Sequence, residues 1–331
     1  MLAQVLPRFG DASVFELREI PTPSLRPGCA LVEIAATSVN IVDCKIRQHG
    51  SAAAPPLPAV LGADFSGRIA ALADDVRGFA IGDRVFGLGA GLSGAYGGAL
   101  AQLLLVDARV LAPMPGSLDF RLAAALPLAG ITAWEGLERA GVGPGQFVLV
   151  RGGTGGVGHL AVQIARHRGA RVSATASTPE RSALALELGA EHVTGTSLEA
   201  ALAAAESVTG GRGYDVTFDA SGRTELPILA ATTRHNGHVV AIAGRGQRDL
   251  EPLFVRGQSL HLVFVLFPTL EGIGREAHSA ILRQLAEAVD QGAVRPLVDA
   301  RRFTLADAAA AHRLAESGRP RGKVVIEVAA L

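Results

Sequence analysis

Phe147-Val148-Leu149-Val150 is an apolar run that a β-strand would bury. It leads into Arg151-Gly152-Gly153-Thr154-Gly155-Gly156-Val157-Gly158 and then an amphipathic stretch from His159 to His167. Glycines at this spacing, between a strand and a helix, are suited to holding a pyrophosphate. Gly153 permits the tight turn, Gly155 lets the backbone approach the phosphates, and Gly158 allows close packing of helix on strand. Backbone N–H groups along Thr154, Gly156 and Val157, together with the helix dipole, attract the anion. The segment predicts a nicotinamide dinucleotide site; the alternative is a glycine-rich turn with no ligand.

Residues further along choose between the two nicotinamide cofactors. A site for NAD usually carries Asp or Glu at the end of the second strand, roughly 20 residues past the glycines, to bind the ribose hydroxyls. The sequence there reads Thr175-Ala176-Ser177-Thr178-Pro179-Glu180-Arg181. A carboxylate would repel a 2′-phosphate, whereas the Ser177 hydroxyl and the Arg181 guanidinium would bind it. Glu180 falls in a first helical turn, where it can simply serve the dipole. The balance favours NADP(H), although Arg181 alone reads equally well as a solvated helix charge.

A second group of chemically capable residues is Asn40-Ile41-Val42-Asp43-Cys44-Lys45. The Asn40-x-x-Asp43 spacing fits a helix cap with a first-turn acid as well as a reactive amide–carboxyl pair. Lys45 stands out because the 31 basic residues include only two lysines, Lys45 and Lys323. An ammonium beside a substrate can stabilise an oxyanion or supply a proton; the alternative places Lys45 in solvent.

The elements that must position these groups change character along the chain. From Leu2 to about Val110, strand-like runs (Ala30–Ile34, Phe65–Ala71, Arg84–Phe86, Gln102–Val106) alternate with Pro and Gly clusters, as in a small antiparallel barrel. Phe120–Leu128 and Thr132–Ala140 read as helices. Strand candidates Phe147–Val150, Arg171–Ala176, His192–Val193, Asp215–Asp219, His238–Ala243 and Leu260–Phe267 then alternate with helices at Gly158–His167, Pro179–Leu188, Leu198–Thr209 and Thr224–Thr233. Such alternation implies a doubly wound parallel sheet. Helices at His278–Gln291 and Leu305–Ser317 precede a last strand, Lys323–Val328, which would complete the first domain's sheet. The expected fold is therefore α/β. A β-rich domain covers 1–122 and 268–331, and a dinucleotide-binding domain covers 123–267.

Composition sets limits on function. With 49% hydrophobic and 19% charged residues, the chain can build large cores and is not a disordered one. Lys+Arg and Asp+Glu each number 31, and no basic run occurs, so neither nucleic acid nor an anionic membrane is expected as a partner. Cys29 and Cys44 are too few for a disulfide framework and suit a reducing cytoplasm. Met1–Gly10 lacks the pattern of a signal peptide, and Leu260–Leu266 is too short to span a bilayer.

Several further motifs occur in a telling order: Asn40-Ile41-Val42-Asp43, Leu61-Gly62-Ala63-Asp64-Phe65-Ser66-Gly67, Gly82-Asp83-Arg84-Val85-Phe86-Gly87, Gly97-Gly98-Ala99-Leu100-Ala101 and Ala125-Leu126-Pro127-Leu128-Ala129-Gly130-Ile131-Thr132-Ala133. With the glycine turn, they resemble the medium-chain dehydrogenase/reductase superfamily over nearly the whole chain. The nearest resemblance is to its zinc-independent, zeta-crystallin-like NADPH:quinone oxidoreductase branch. It implies a GroES-like catalytic domain, a Rossmann domain and an active site in the cleft between them. The implied reaction is hydride transfer from NADPH to a quinone or activated alkene. A 2-enoyl thioester reductase and a non-catalytic NADPH-binding protein are the alternatives.

The resemblance also assigns residues. Asn40 and Asp43 would line the cleft, Thr132 would approach the cofactor ring, and Lys45 stands where related quinone reductases often carry Tyr. Ala243-Gly244-Arg245 would run beside the cofactor, and Val265-Leu266-Phe267 would face its carboxamide. Thr196 stands where a Tyr often meets the 2′-phosphate; Arg319 or Arg321 could reach that phosphate instead. The Gly87–Gly98 loop, with Leu92 and Tyr96, would wall a pocket for flat, apolar molecules. A zinc enzyme of the superfamily would need Cys at Asn40, a His-Glu pair at Ala63-Asp64 and a thiolate near Leu128, so no zinc is expected. The apolar run Leu260–Phe267, read as an edge strand, would pair with its mate in a homodimer.

Overall fold

The computed structural model describes every residue except Ala52, Ser93, Gly94, Ala95 and Arg245. It divides into two compact units. The first comprises Met1–Leu128, Leu266–Gln291 and Pro296–Leu331; the second comprises Ala129–Val265 and Gly292–Arg295. The expected division fell at 122/123 and 267/268. In the structure the chain leaves the first unit inside the helix Pro127–Arg139.

The first unit is organised around the strand Cys29–Val39, longer than the Ala30–Ile34 run foreseen. One edge of this strand pairs antiparallel with Asp64–Leu72. Its other edge is shared, pairing with Leu103–Asp107 along its first half and with the terminal strand Val324–Glu327 along its second. Val32, Ile34, Phe65, Ile69, Val85, Leu104 and Val106 fill the core beneath it. Their alternation along the strands follows the two-residue period of a pleated sheet. The chain's last strand therefore begins beside Val39, with Lys323 just before it near Asn40, because Val324 stands opposite Val39.

The second unit holds a parallel sheet. Among the described residues its strand order is His192–Thr194, Arg171–Thr175, Phe147–Arg151, Tyr214–Asp219, Thr233–Ala241 and Ser259–Leu262. Numbered along the chain this order is 3-2-1-4-5-6, the doubly wound arrangement whose ligand crevice opens where the order reverses, beyond Phe147–Arg151. The two sheets are those of a GroES-like and a Rossmann-type domain.

Several expected elements differ. Phe120–Leu128 is a short helix, Phe120–Ala123, after which a new helix starts at Pro127; proline tolerates a first helical turn and disfavours a helix running into it. The helix expected over Thr224–Thr233 runs from Leu226 to Thr232. The edge strand expected over Leu260–Phe267 is only Ser259–Leu262, and Phe267 opens a helix, Phe267–Glu271, with Pro268 in its first turn.

Candidate active site

In the second unit the turn after Phe147–Arg151 is shaped by its glycines. Gly152 takes the left-handed conformation, φ 74°, so the tight turn belongs to Gly152 and not to Gly153. A Cβ on Gly153 would lie 2.7 Å from the Ala174 Cβ, and one on Gly158 would lie 2.0 Å from the Gly152 carbonyl oxygen. Gly158 is thus required for the helix Gly158–His167 to pass so close to the strand's exit. Gly152 N–H donates to Thr175 Oγ1 at 3.0 Å, tying the turn to the neighbouring strand. Val157 at the helix N-cap supplies no side-chain acceptor; in the first turn His159 N–H and Leu160 N–H donate to the Gly155 and Val157 carbonyl oxygens, and the helix dipole still favours an anion at this end.

The end of the second strand meets this turn. Thr178 caps the helix Pro179–Glu187, accepting from Arg181 N–H at 3.3 Å. The Arg181 guanidinium then reaches back, and Nη1 donates to Thr154 Oγ1 at 3.2 Å. Ser177 is exposed beside it, and no carboxylate occupies the strand end. A phosphorylated dinucleotide fits this geometry: a tightly packed glycine turn at a helix N-terminus, flanked by a guanidinium and a hydroxyl. Thr132 is buried on the helix Pro127–Arg139. The Ala243 carbonyl oxygen accepts from the Thr224 hydroxyl, Gly244 is exposed, and Arg245 lies outside the described residues.

In the first unit Asn40 and Asp43 belong to a buried polar cluster. Asn40 is the N-cap of the helix Ile41–His49, and its N–H donates to Asp43 Oδ2 at 2.9 Å. The cap spacing is realised, and the Asn40 side chain does more. Its Nδ2 donates to Asp64 Oδ2 at 2.9 Å, and its Oδ1 accepts from the Lys323 ammonium. Asp64, fully buried, also accepts from Ser38 Oγ at 2.6 Å, from Leu128 N–H at 2.8 Å and from Lys323 Nζ at 3.5 Å. Burial pushes the Asp43 carboxyl up to about 7, aided by the negative charge of Asp64; the Asn40 N–H and the Lys323 charge pull the other way. Sequence reasoning assigned no role to Lys323 or Asp64 here. The scarcity of lysine is the signal in the sequence, and it points as much to Lys323 as to Lys45.

The other expected pocket and donor residues are placed differently. Lys45 is exposed on the helix whose buried side carries Asp43 and Cys44, because residues one and two apart on a helix face different ways. Leu92 is 1% exposed and belongs to the packed interior, so it offers no pocket wall. Tyr96 is half-buried and tethered: its ring lies under the Arg26 and Arg275 guanidinium groups, and Arg275 Nη1 donates to its hydroxyl at 3.2 Å. Ser93, Gly94 and Ala95 of the same loop lie outside the described residues. Phe267 is exposed at the start of its short helix, and Thr196 is also exposed.

A zinc ion does not fit the first unit's cluster. Ala63 and Leu128 offer no side-chain ligand, Asn40 is a weak one, and the Lys323 ammonium already occupies the acceptors of Asn40 and Asp64. Among the described residues no group of three or more His, Cys, Asp or Glu side chains could hold a metal.

Residues 26–116 match the alcohol dehydrogenase GroES-like domain, and residues 188–326 match the zinc-binding dehydrogenase family. An NADPH-dependent alkenal/one oxidoreductase, chloroplastic, of Arabidopsis thaliana is 32% identical over 334 residues, covering 98% of this chain and 79% of its own. A quinone oxidoreductase of Homo sapiens is 29% identical over 306 residues, covering 92% and 90% respectively. An alcohol dehydrogenase superfamily protein from Novosphingobium aromaticivorans has a solved structure with TM-score 0.94 and 38% identity, covering 99% of this chain and 100% of that one.

The chain belongs to the medium-chain dehydrogenase/reductase superfamily, whose members carry a GroES-like and a Rossmann-type domain. Within it the chain falls in the quinone oxidoreductase branch, and it is an oxidoreductase.

Proposed function

We propose that the protein is a zinc-free, NADPH-dependent reductase of quinones or of alkenes conjugated to a carbonyl. The observation that carries this reading is the Arg181 guanidinium bonded to Thr154 of the glycine turn, which favours a phosphorylated cofactor over NAD. Gly153, Thr154, Gly155, Gly156, Val157 and Gly158 would hold the pyrophosphate, with Ser177 and Arg181 on the 2′-phosphate and Thr132, Ala243, Gly244 and Phe267 along the rest of the cofactor. When bound, NADPH supplies the hydride. Its arrival on a conjugated acceptor drives an electron pair on to the carbonyl oxygen, and a proton from water completes the reduced product. That developing charge requires a fixed donor. Asn40 is the donor we assign, with Asp43 holding a proton one helical turn away. Lys45, in solvent, is left out of this chemistry. The acceptor classes are those named for the relatives.

No helix among the described residues is long and apolar enough to cross a membrane. Both cysteines are free and buried, which supports a cytoplasmic setting, and a homodimer is proposed through the Ser259–Leu262 edge.

The test is NADPH oxidation against a panel of quinones, enones and 2-enoyl thioesters, with and without a strong chelator. Turnover of a quinone or enone, unchanged by the chelator, is expected. Tight NADPH binding without oxidation by any acceptor would instead identify a non-catalytic binding protein, and turnover of thioesters alone would move the acceptor class.

A further inference from the structure

Lys323 is 4% exposed, and the oxygens around it account for its three protons: the Val39 carbonyl at 3.4 Å, Asn40 Oδ1, and Asp64 Oδ2 at 3.5 Å. Lysine can only donate and a carboxylate can only accept, so the orientation of Asn40 is forced. Its oxygen must face Lys323 and its nitrogen must face Asp64. One Nδ2 proton is committed to Asp64; the second is committed to no described residue.

The backbone at Lys323 is built to hold this position. Lys323 N–H donates to the Leu297 carbonyl at 2.8 Å, and Asp299 N–H donates to the Lys323 carbonyl at 2.9 Å. Gly322, φ 77°, permits the approach, since a Cβ there would lie 2.0 Å from the Leu297 oxygen.

We propose that Lys323 is a positioning residue for the reduction, acting through Asn40 as a built-in cation at a site where zinc members of the superfamily use a metal. This rests on the reductase reading above. A cation on the amide oxygen draws electron density from the nitrogen and makes the second Nδ2 proton a stronger donor. The same contact fixes that proton's direction, so the carboxamide is oriented before the acceptor's oxygen gains charge. Asp64 balances the buried charge and anchors the other side of the amide. Lys323 thus exchanges no proton and touches no substrate.

The experiment compares wild type, Lys323→Met, and the double variant Lys323→Met/Asp64→Asn, which removes both buried charges together. Three quantities are measured: thermal stability, kcat with the best acceptor, and NADPH affinity. The Asn40 side-chain amide is also followed by NMR in the ligand-free protein. Lys323→Met should lose stability and lower kcat roughly 100-fold, the scale of losing one oxyanion donor. NADPH affinity should stay within about twofold, since the glycine turn and Arg181 are untouched. The double variant should regain stability without regaining kcat, and in both variants the two Asn40 amide protons should lose their separation and exchange faster. Recovery of kcat along with stability would overturn the proposal and leave Lys323 a plain counterion. An Asn40 amide spectrum unchanged by Lys323→Met would overturn it without reference to turnover. Inactive wild type with a locked Asn40 amide would instead sink the reductase reading, and the catalytic role of Lys323 with it.

Discussion

Arg181 is a residue whose loss should separate two cofactors. Its guanidinium hangs from the start of one helix and reaches the threonine of the glycine turn, a contact that by itself stabilises the turn modestly. Its larger role is expected when a 2′-phosphate arrives, because a hydrogen bond to a charged group contributes about 1.5–3 kcal/mol. Arg181→Ala should therefore weaken NADPH binding by roughly 10- to 100-fold and leave NADH binding nearly unchanged. Titrating both cofactors by fluorescence checks this; equal losses for the two would show that Arg181 only shapes the turn. Arg181 was legible because strand, turn and helix are local features. Lys323 was not legible. It lies 283 residues from Asn40 and meets it only because the last strand pairs with Cys29–Val39. Lys45 is nearer in sequence, but helix geometry turns it outward.

At the level of elements, two helices of the first unit bury histidines whose protonation opposes the fold. His278, on Arg275–Asp290, is lowered to about 4 by burial. His312, on Ala308–Glu316, is lowered to about 3 by burial and the nearby Arg47 charge, with Cys44 Sγ 3.5 Å away and the Phe15 ring against it. Between about pH 4 and pH 6.5 both are neutral when folded and protonated when unfolded, so each makes stability fall as pH falls, by roughly 1.4 kcal/mol per pH unit. Asp43 works the opposite way. Its folded carboxyl, raised to about 7, keeps a proton that the unfolded chain has lost above about pH 4. Asp43→Asn should therefore steepen the loss of stability below pH 6.5 by about one proton's worth, as read from denaturant unfolding at a series of pH values. A slope unchanged by that variant would mean Asp43 is ionised in the fold. Both helices were foreseen from their apolar spacing, yet the burial of their histidines was not, since an isolated His carries no sign of its tertiary surroundings. The apolar letters of Leu260–Phe267 continue past Leu262, where the strand stops, and a helix with Pro268 in its first turn starts at Phe267.

For the whole molecule, the open question is what meets the outer edge of the second unit's sheet. Ser259–Leu262 pairs with Thr233–Ala241 on one side and with no other strand among the described residues. Around it Leu262 is 50% exposed, Phe264 51%, Val255 64% and Phe254 82%. A four-residue edge supplies too few backbone hydrogen bonds to hold two copies alone, so most of the association energy must come from these side chains. Burying a large apolar side chain contributes about 1.5–3 kcal/mol, and in a two-fold assembly each one counts twice. Bare edges with apolar flanks otherwise invite open-ended aggregation, which a closed dimer avoids. The chain should thus sediment as a dimer. Phe254→Asp/Phe264→Asp should yield a folded monomer that still binds NADPH, because neither residue takes part in the glycine turn or the Arg181 contact. Analytical ultracentrifugation over a range of concentrations decides the point. A wild-type monomer throughout, or a double variant that remains dimeric, would mean that the edge is covered in some other way and that these aromatics face a different surface.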